Sequence, residues 1–91
     1  MSLSFEWDAQ KAQSNELKHG VTFVDAATAF GDPFSVTIPD PDHSVEEARF
    51  VLLGATYRGT IVVVVHTDRG ENIRIISARR ATRAERRAYD Q

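Results

Sequence analysis

Nine arginines and no lysine occupy residues 49–91, and six of those arginines fall in the single stretch RIISARRATRAERRAY, residues 74–89. A guanidinium stays charged at every relevant pH and presents paired donors that match a phosphate. Arg83 and Arg87 stand four apart, which makes one stripe on a helix, with Arg86 beside it. This pattern suits contact with a nucleic-acid backbone, although a GC-rich genome would also bias codons toward arginine. A second charged place lies near the start. The stretch W-D-A-Q-K-A-Q-S-N-E-L-K-H-G closes on Lys18-His19-Gly20. Cations are favourable at a helix C-terminus and glycine suits the left-handed residue beyond it, so helix termination explains the corner. A charged corner set beside something anionic explains it equally well.

The elements that must carry these groups can be read from pattern. Ser2 to Trp7 alternates weakly, with Leu3, Phe5 and Trp7 on one side, and predicts a short strand. Asp8 is placed to cap a helix over 8–19. Thr22 and Asp25 have cap spacing, and Phe23, Ala26, Ala27 and Phe30 make one apolar stripe that Gly31-Asp32-Pro33 ends, so a second helix is expected over 22–30. Phe34 to Ile38 predicts a strand and Pro39 to Ser44 a loop. The acids and His43 of that loop match no metal-ligand spacing, and it reads as an acidic surface. From Glu46 the pattern becomes strands: Glu47–Tyr57, Thr60–His66 and Asn72–Arg80, with turns at Arg58-Gly59 and Thr67–Glu71. Ile61 to Val65 is β-branched on both faces and predicts a central strand covered on both sides. Thr82-Arg83-Ala84-Glu85 has capping-box spacing and opens a terminal helix. The order is β-α-α-β-β-β-β-α. The expected class is α+β: an antiparallel sheet of about four strands, two N-terminal helices on one face and a C-terminal helix. Period-2 parity sets Arg74, Ile76, Ala78 and Arg80 on one side of the last strand and Ile73, Ile75, Ser77 and Arg79 on the other.

Ninety-one residues make one domain with one core. Without cysteine there is neither disulfide nor thiolate chemistry. An N-terminus bearing a tryptophan and acids is no signal peptide, and the longest apolar run cannot span a bilayer, so a cytoplasmic protein without membrane contact is expected. Net charge is −2, but residues 1–48 hold two cations against nine acids and residues 49–91 nine cations against four acids, giving −7 and +5. The basic half can make a footprint for phosphates, or the halves can neutralise each other within the fold or across a homodimer.

The motifs W-D-x-x-K, K-H-G-V-x-F and R-I-I-S-A-R, in that order and around an Ile-Pro-Asp-Pro-Asp-His-Ser loop, resemble the BrnT family. Its members are toxins of a bacterial type II toxin–antitoxin system, similar in fold to RelE-type ribonucleases. The resemblance runs from Phe5 to Tyr89. One departure is visible: where the family often reads Glu-Glu-Arg-Phe, this chain has Glu47-Ala48-Arg49-Phe50. If the missing acid took part in the chemistry, this chain would be weak or inactive. The resemblance implies an endoribonuclease that cuts messenger RNA and arrests growth, with no cofactor. It also implies a BrnA-type antitoxin that blocks the toxin and binds operator DNA through its own domain.

Metal-free RNA cleavage uses the neighbouring 2′-hydroxyl as nucleophile and needs a base, an acid and cations for the phosphorane. Glu47, His66, His19 and Tyr89 are the acid–base candidates. The expected catalytic set is Glu47, Arg49, His66 and Arg79, with Arg49 and Arg79 reaching one phosphate from separate strands. Lys18, His19, Arg80, Arg83 and Arg87 are expected to bind RNA. No carboxylate cluster at ligand spacing supports a metal-dependent nuclease. The alternative to a ribonuclease is a non-catalytic module of the same fold, serving as antitoxin partner or transcriptional co-repressor.

Overall fold

The computed structural model describes residues 3–43 and 47–91. Ser2, expected to begin the first strand, Ser44 of the acidic loop, and Glu46 lie outside the described residues. The chain runs β1 (Ser4–Glu6), α1 (Ala9–His19), α2 (Phe23–Thr28), a 3₁₀ turn (Ala29–Gly31), β2 (Val36–Pro39), a second 3₁₀ turn (Pro41–His43), β3 (Arg49–Ala55), β4 (Ile61–Arg69), β5 (Asn72–Arg80) and α3 (Arg83–Tyr89). This is the expected order.

The sheet differs from the expected one. It has five strands in the order β1-β5-β4-β3-β2, and β1 runs parallel to β5 while every other pair is antiparallel. Hairpin connections dictate the antiparallel pairs, but β1 and β5 are joined by most of the chain, so no local signal fixes their pairing. The β4–β5 turn is also tighter than expected. β4 continues to Arg69 and β5 begins at Asn72, leaving Gly70-Glu71 as the connection, with Gly70 at φ +61°.

Local chemistry sets the helix ends. The Asp8 carboxylate accepts from the Gln10 and Lys11 N–H groups, and Gly20, at φ +71°, donates its N–H to the Glu16 carbonyl. The Thr22 hydroxyl accepts from the Asp25 N–H. In α3, Thr82 and Glu85 exchange both bonds of the capping box.

The core fills one face of the sheet. Val21, Phe23, Ala26 and Ala29 meet Leu52, Val62, Val64, Ile75 and Ala78, with Phe5, Trp7, Ala12 and Phe30 packed around them. Phe5 stands edge-on to Phe30 at 5.1 Å and Trp7 to Phe23 at 5.9 Å. Leu3, expected on the same side as Phe5 and Trp7, is exposed. β4 is the middle strand, and Val62 and Val64 are fully buried. On its second face Val63 and Thr67 are buried as well and Val65 is half-buried, and α3 is fixed to that side through Glu85 and Arg79.

A bulge corrects the parity of β5. Val65 pairs with Ser77 but His66 pairs with Ile75, so Ile76 is the extra residue. Hence Ile73, Ile75, Ala78 and Arg80 share the core face, while Arg74, Ser77 and Arg79 share the open one. Uninterrupted period-2 counting had put Arg74 and Arg79 on different sides.

Candidate nucleic-acid interface

The buried Asn15 is the joint between α1 and the sheet. Its side-chain amide donates to the Ala78 carbonyl at 2.8 Å and the Val21 carbonyl at 3.0 Å, and its oxygen accepts the Ala78 N–H at 3.0 Å. β1 pairs only with residues 72–74 of β5, so beyond that point Asn15 takes the place of a neighbouring strand. This holds the polar face of α1 along the β5 edge and opens a cleft of about 460 Å³ between them. Lys11, Ser14, Lys18 and His19 line it from α1, and Ile76 and Ser77 form its sheet side.

A second cleft, of about 240 Å³, lies just past the end of α1. Gly20 and Val21 form one wall and Arg58 and Arg80 reach it from the β3–β4 turn and the end of β5. The Lys18-His19-Gly20 corner therefore has Lys11, Lys18 and His19 on one side and Arg58 and Arg80 on the other. Two acids stand near this track. Asp8 is occupied as the α1 cap, with its pKa lowered first by the Lys11 N–H and then by the Gln10 N–H. Asp25 pairs with Arg58 at 3.4 Å.

The expected catalytic residues do not share this track. His66 lies on the core face and is only 5% exposed. Its ring stands edge-on to Phe30 at 4.8 Å and stacks on Phe50 at 5.9 Å. Burial lowers its pKa, against weaker opposition from the Val64 carbonyl and Asp68. It is a neutral core histidine that RNA does not reach, which corrects its expected catalytic placement. Alternation along β4 gave no sign of this, because a strand-end histidine reads the same whether it points inward or outward.

Arg79 lies on the opposite sheet face. It donates twice to Glu85, at 2.7 and 2.9 Å. That pairing, with desolvation opposing and the Thr82 N–H adding, holds the Glu85 carboxyl down at about 2. Arg49 shares the face but pairs with Thr67, whereas Arg79 pairs with Val63. Four residues and two strand spacings put their backbones about 16 Å apart. Arg74 is the arginine that flanks Thr67 opposite Arg49, and it is bound to Glu6 at 2.8 Å. Glu47 is exposed just before β3, and Arg83 and Arg87 are exposed on α3. Tyr89 is turned inward and donates its hydroxyl to Asp32 at 2.5 Å. Glu6 also meets Arg69 at 3.8 Å, so early acids partly neutralise late arginines within the fold. Among the described residues no group of three His, Asp or Glu could hold a metal, and His43 contacts only Asp40, at 2.9 Å. No helix is long and apolar enough to cross a membrane.

Sequence reasoning missed Asn15, Lys11 and Arg58. The six-residue step from Asn15 to Val21 gives no pattern, and Lys11 entered only as part of the W-D-x-x-K motif.

Comparison with known proteins agrees with this architecture. Residues 7–85 match the family model of the ribonuclease toxin BrnT of a type II toxin–antitoxin system. The fold is similar to the 1.1 Å crystal structure of the Brucella abortus ribonuclease toxin BrnT, with a TM-score of 0.70, 24% identity, and coverage of 90% of this chain and 100% of that one. No curated protein sequence matches the chain.

Proposed function

Because the chain belongs to the BrnT family of ribonuclease toxins, we propose that it cleaves RNA without a metal, using the track around Lys18-His19-Gly20. The observation that carries this reading is a cleft on each side of the His19–Gly20 step, one lined by Lys11, Lys18 and His19 and the other by Arg58 and Arg80. A single strand laid along it meets cations on both sides of His19. Imidazole is the side chain suited to moving a proton near neutral pH. In this mechanism His19 takes the proton of a 2′-hydroxyl as that oxygen attacks the adjacent phosphorus. Lys11 and Lys18 offset the charge that builds on the phosphorane, and the Lys18 ammonium protonates the departing 5′-oxygen. The products carry a 2′,3′-cyclic phosphate and a 5′-hydroxyl. The protein acts in the cytoplasm, and a BrnA-type antitoxin neutralises it and carries it to operator DNA.

Replacing His19 by Ala should lower RNA cleavage by about 10²-fold or more. Chelation of divalent ions should leave cleavage unchanged. A folded His19→Ala protein that cleaves at the parent rate, or a chelator that abolishes cleavage, contradicts the mechanism.

One observation favours the non-catalytic reading. Of the expected catalytic groups, His66 is sealed in the core and Arg79 is engaged by Glu85. Growth arrest on expression of the chain alone separates the readings: a binding module leaves growth unaffected.

A further inference from the structure

The sheet face opposite the core carries an aliphatic floor that is open along β2. Val36, Ile38, Val51, Leu53 and Val63 line a groove of about 200 Å³ that ends at Glu85. Val36 is 54% and Ile38 56% exposed, although both are large apolar residues. Both lie on β2, an edge strand exposed along its whole length. Cations bound the floor. Arg79 stands at the α3 end, and Arg49 and Arg74 flank Thr67 on the same face at the other. The outer side of α3 adds Arg83, Arg86 and Arg87. Glu85 and Glu6 are each already paired to an arginine on this face.

We propose that this floor is the docking surface for the antitoxin, and that its occupant is an acidic amphipathic helix. The inference rests on the toxin–antitoxin reading of the chain. Three observations select the occupant. The five floor side chains are all aliphatic, so they offer apolar burial but no ring on which a base could stack. The exposed Arg83, Arg86 and Arg87 of α3, beside the floor, call for carboxylates. The chain also shows the mode in miniature: α3 lies against this face and sets the Glu85 carboxylate on Arg79 beside Leu53 and Val63. A longer acidic helix continues that arrangement over Val36 and Ile38 of β2. The RNA track lies on the other side of β5, so the antitoxin grips a face distinct from the cleavage corner.

The test is calorimetric titration of the intact toxin with the product of the neighbouring antitoxin gene. Ile38→Asp and Val36→Asp place a carboxylate on the floor, and Leu17→Asp, at a site 84% exposed on α1, is the control. All three sites are exposed in the fold, and circular dichroism checks each variant. The floor variants should lose at least tenfold in affinity and the control should not. Affinity of the parent should fall as salt rises. RNA cleavage by the floor variants, freed of antitoxin, should match the parent. Undiminished affinity in both floor variants, or protection of the floor by an RNA oligomer instead of the antitoxin, overturns the surface while leaving the toxin reading intact. A parent protein that does not bind the neighbouring product at all overturns that reading, and this surface with it.

Discussion

Asn15 and Ala78 are joined as two strand residues would be, although one of them sits on a helix. The side-chain amide of Asn15 satisfies both backbone groups of Ala78 and also the carbonyl of Val21. Removing it leaves three buried backbone groups without that partner, at about 1–3 kcal/mol for each group that water cannot reach. Asn15→Ala should therefore lower the melting temperature by well over ~4 °C, since about 1 kcal/mol shifts a domain of this size by ~4–8 °C. Asn15→Asp, which keeps the acceptor but loses both donors, should fall close to it. An unchanged melting temperature in either variant would show that α1 is held by other contacts.

His66 predicts an acid-sensitive core. Its folded pKa lies below the ordinary 6.5 because burial disfavours the imidazolium. The unfolded chain thus binds the proton more readily, so the stabilising effect is complete above pH 6.5 and is lost progressively as pH falls below it. The loss is at most about 1.4 kcal/mol per pH unit within that window. His66→Phe, which keeps a ring between Phe30 and Phe50, should flatten the pH dependence of the melting temperature between pH 6.5 and 5. Parallel curves for the two proteins would refute the assignment.

The attachment of α3 should fail at a lower pH. Arg79 holds Glu85 at about 2 instead of the ordinary 4.5. Asp32 is also lowered, first by the Tyr89 hydroxyl and then by the Ala55 N–H. For a depressed carboxyl the contribution is present above its unfolded value and disappears as pH drops from about 4.5 toward 2. The Arg79–Glu85 pair is partly exposed, so it is worth only about 0.2–1 kcal/mol. Protease cleavage within residues 83–91 should accelerate below pH 4 before the sheet unfolds. Glu85→Gln should show fast cleavage already at neutral pH, and equal rates for both proteins at pH 7 would count against the pairing.

Much of the fold was legible because its signals are local. Asp8, Thr22 and Thr82 are side-chain caps that announce helix starts, and the β-branched run Ile61–Val65 announces the middle strand. What was not legible depends on partners distant in the chain. β1 found β5, Asn15 found Ala78, and the bulge at Ile76 shifted every residue before it to the other face. The candidate site followed the same rule. Lys18 and His19 stood out because they end a helix, whereas Arg58 joined them only through the position of β3–β4 beside Gly20. His66 misled because period-2 alternation names two faces without saying which one the helices cover.

The roles of Arg79 and Arg80 follow from the same geometry. Both readings of parity put them on opposite faces, and the register confirms it: Arg80 pairs with Val62 on the core face and Arg79 with Val63 on the other. Sequence reasoning put Arg79, which ends the R-I-I-S-A-R motif, in the catalytic set and Arg80 among the RNA-binding residues. In the structure Arg80 lines the cleft at Gly20 and Arg79 is paired with Glu85. Arg80→Ala should therefore weaken RNA binding, raising KM about tenfold and reducing the salt slope by about 0.7, the value for one lost phosphate contact on a single strand. Its kcat should change little, because in the proposed mechanism Arg80 binds the strand away from the reacting phosphate. Arg79→Ala should leave both constants near the parent values while loosening α3 and lowering antitoxin affinity. Cleavage kinetics measured at several salt concentrations, on variants checked for folding, decide the matter. An inactive Arg79→Ala protein beside a fully active Arg80→Ala protein would place the RNA on the open sheet face and move the cleavage site away from His19.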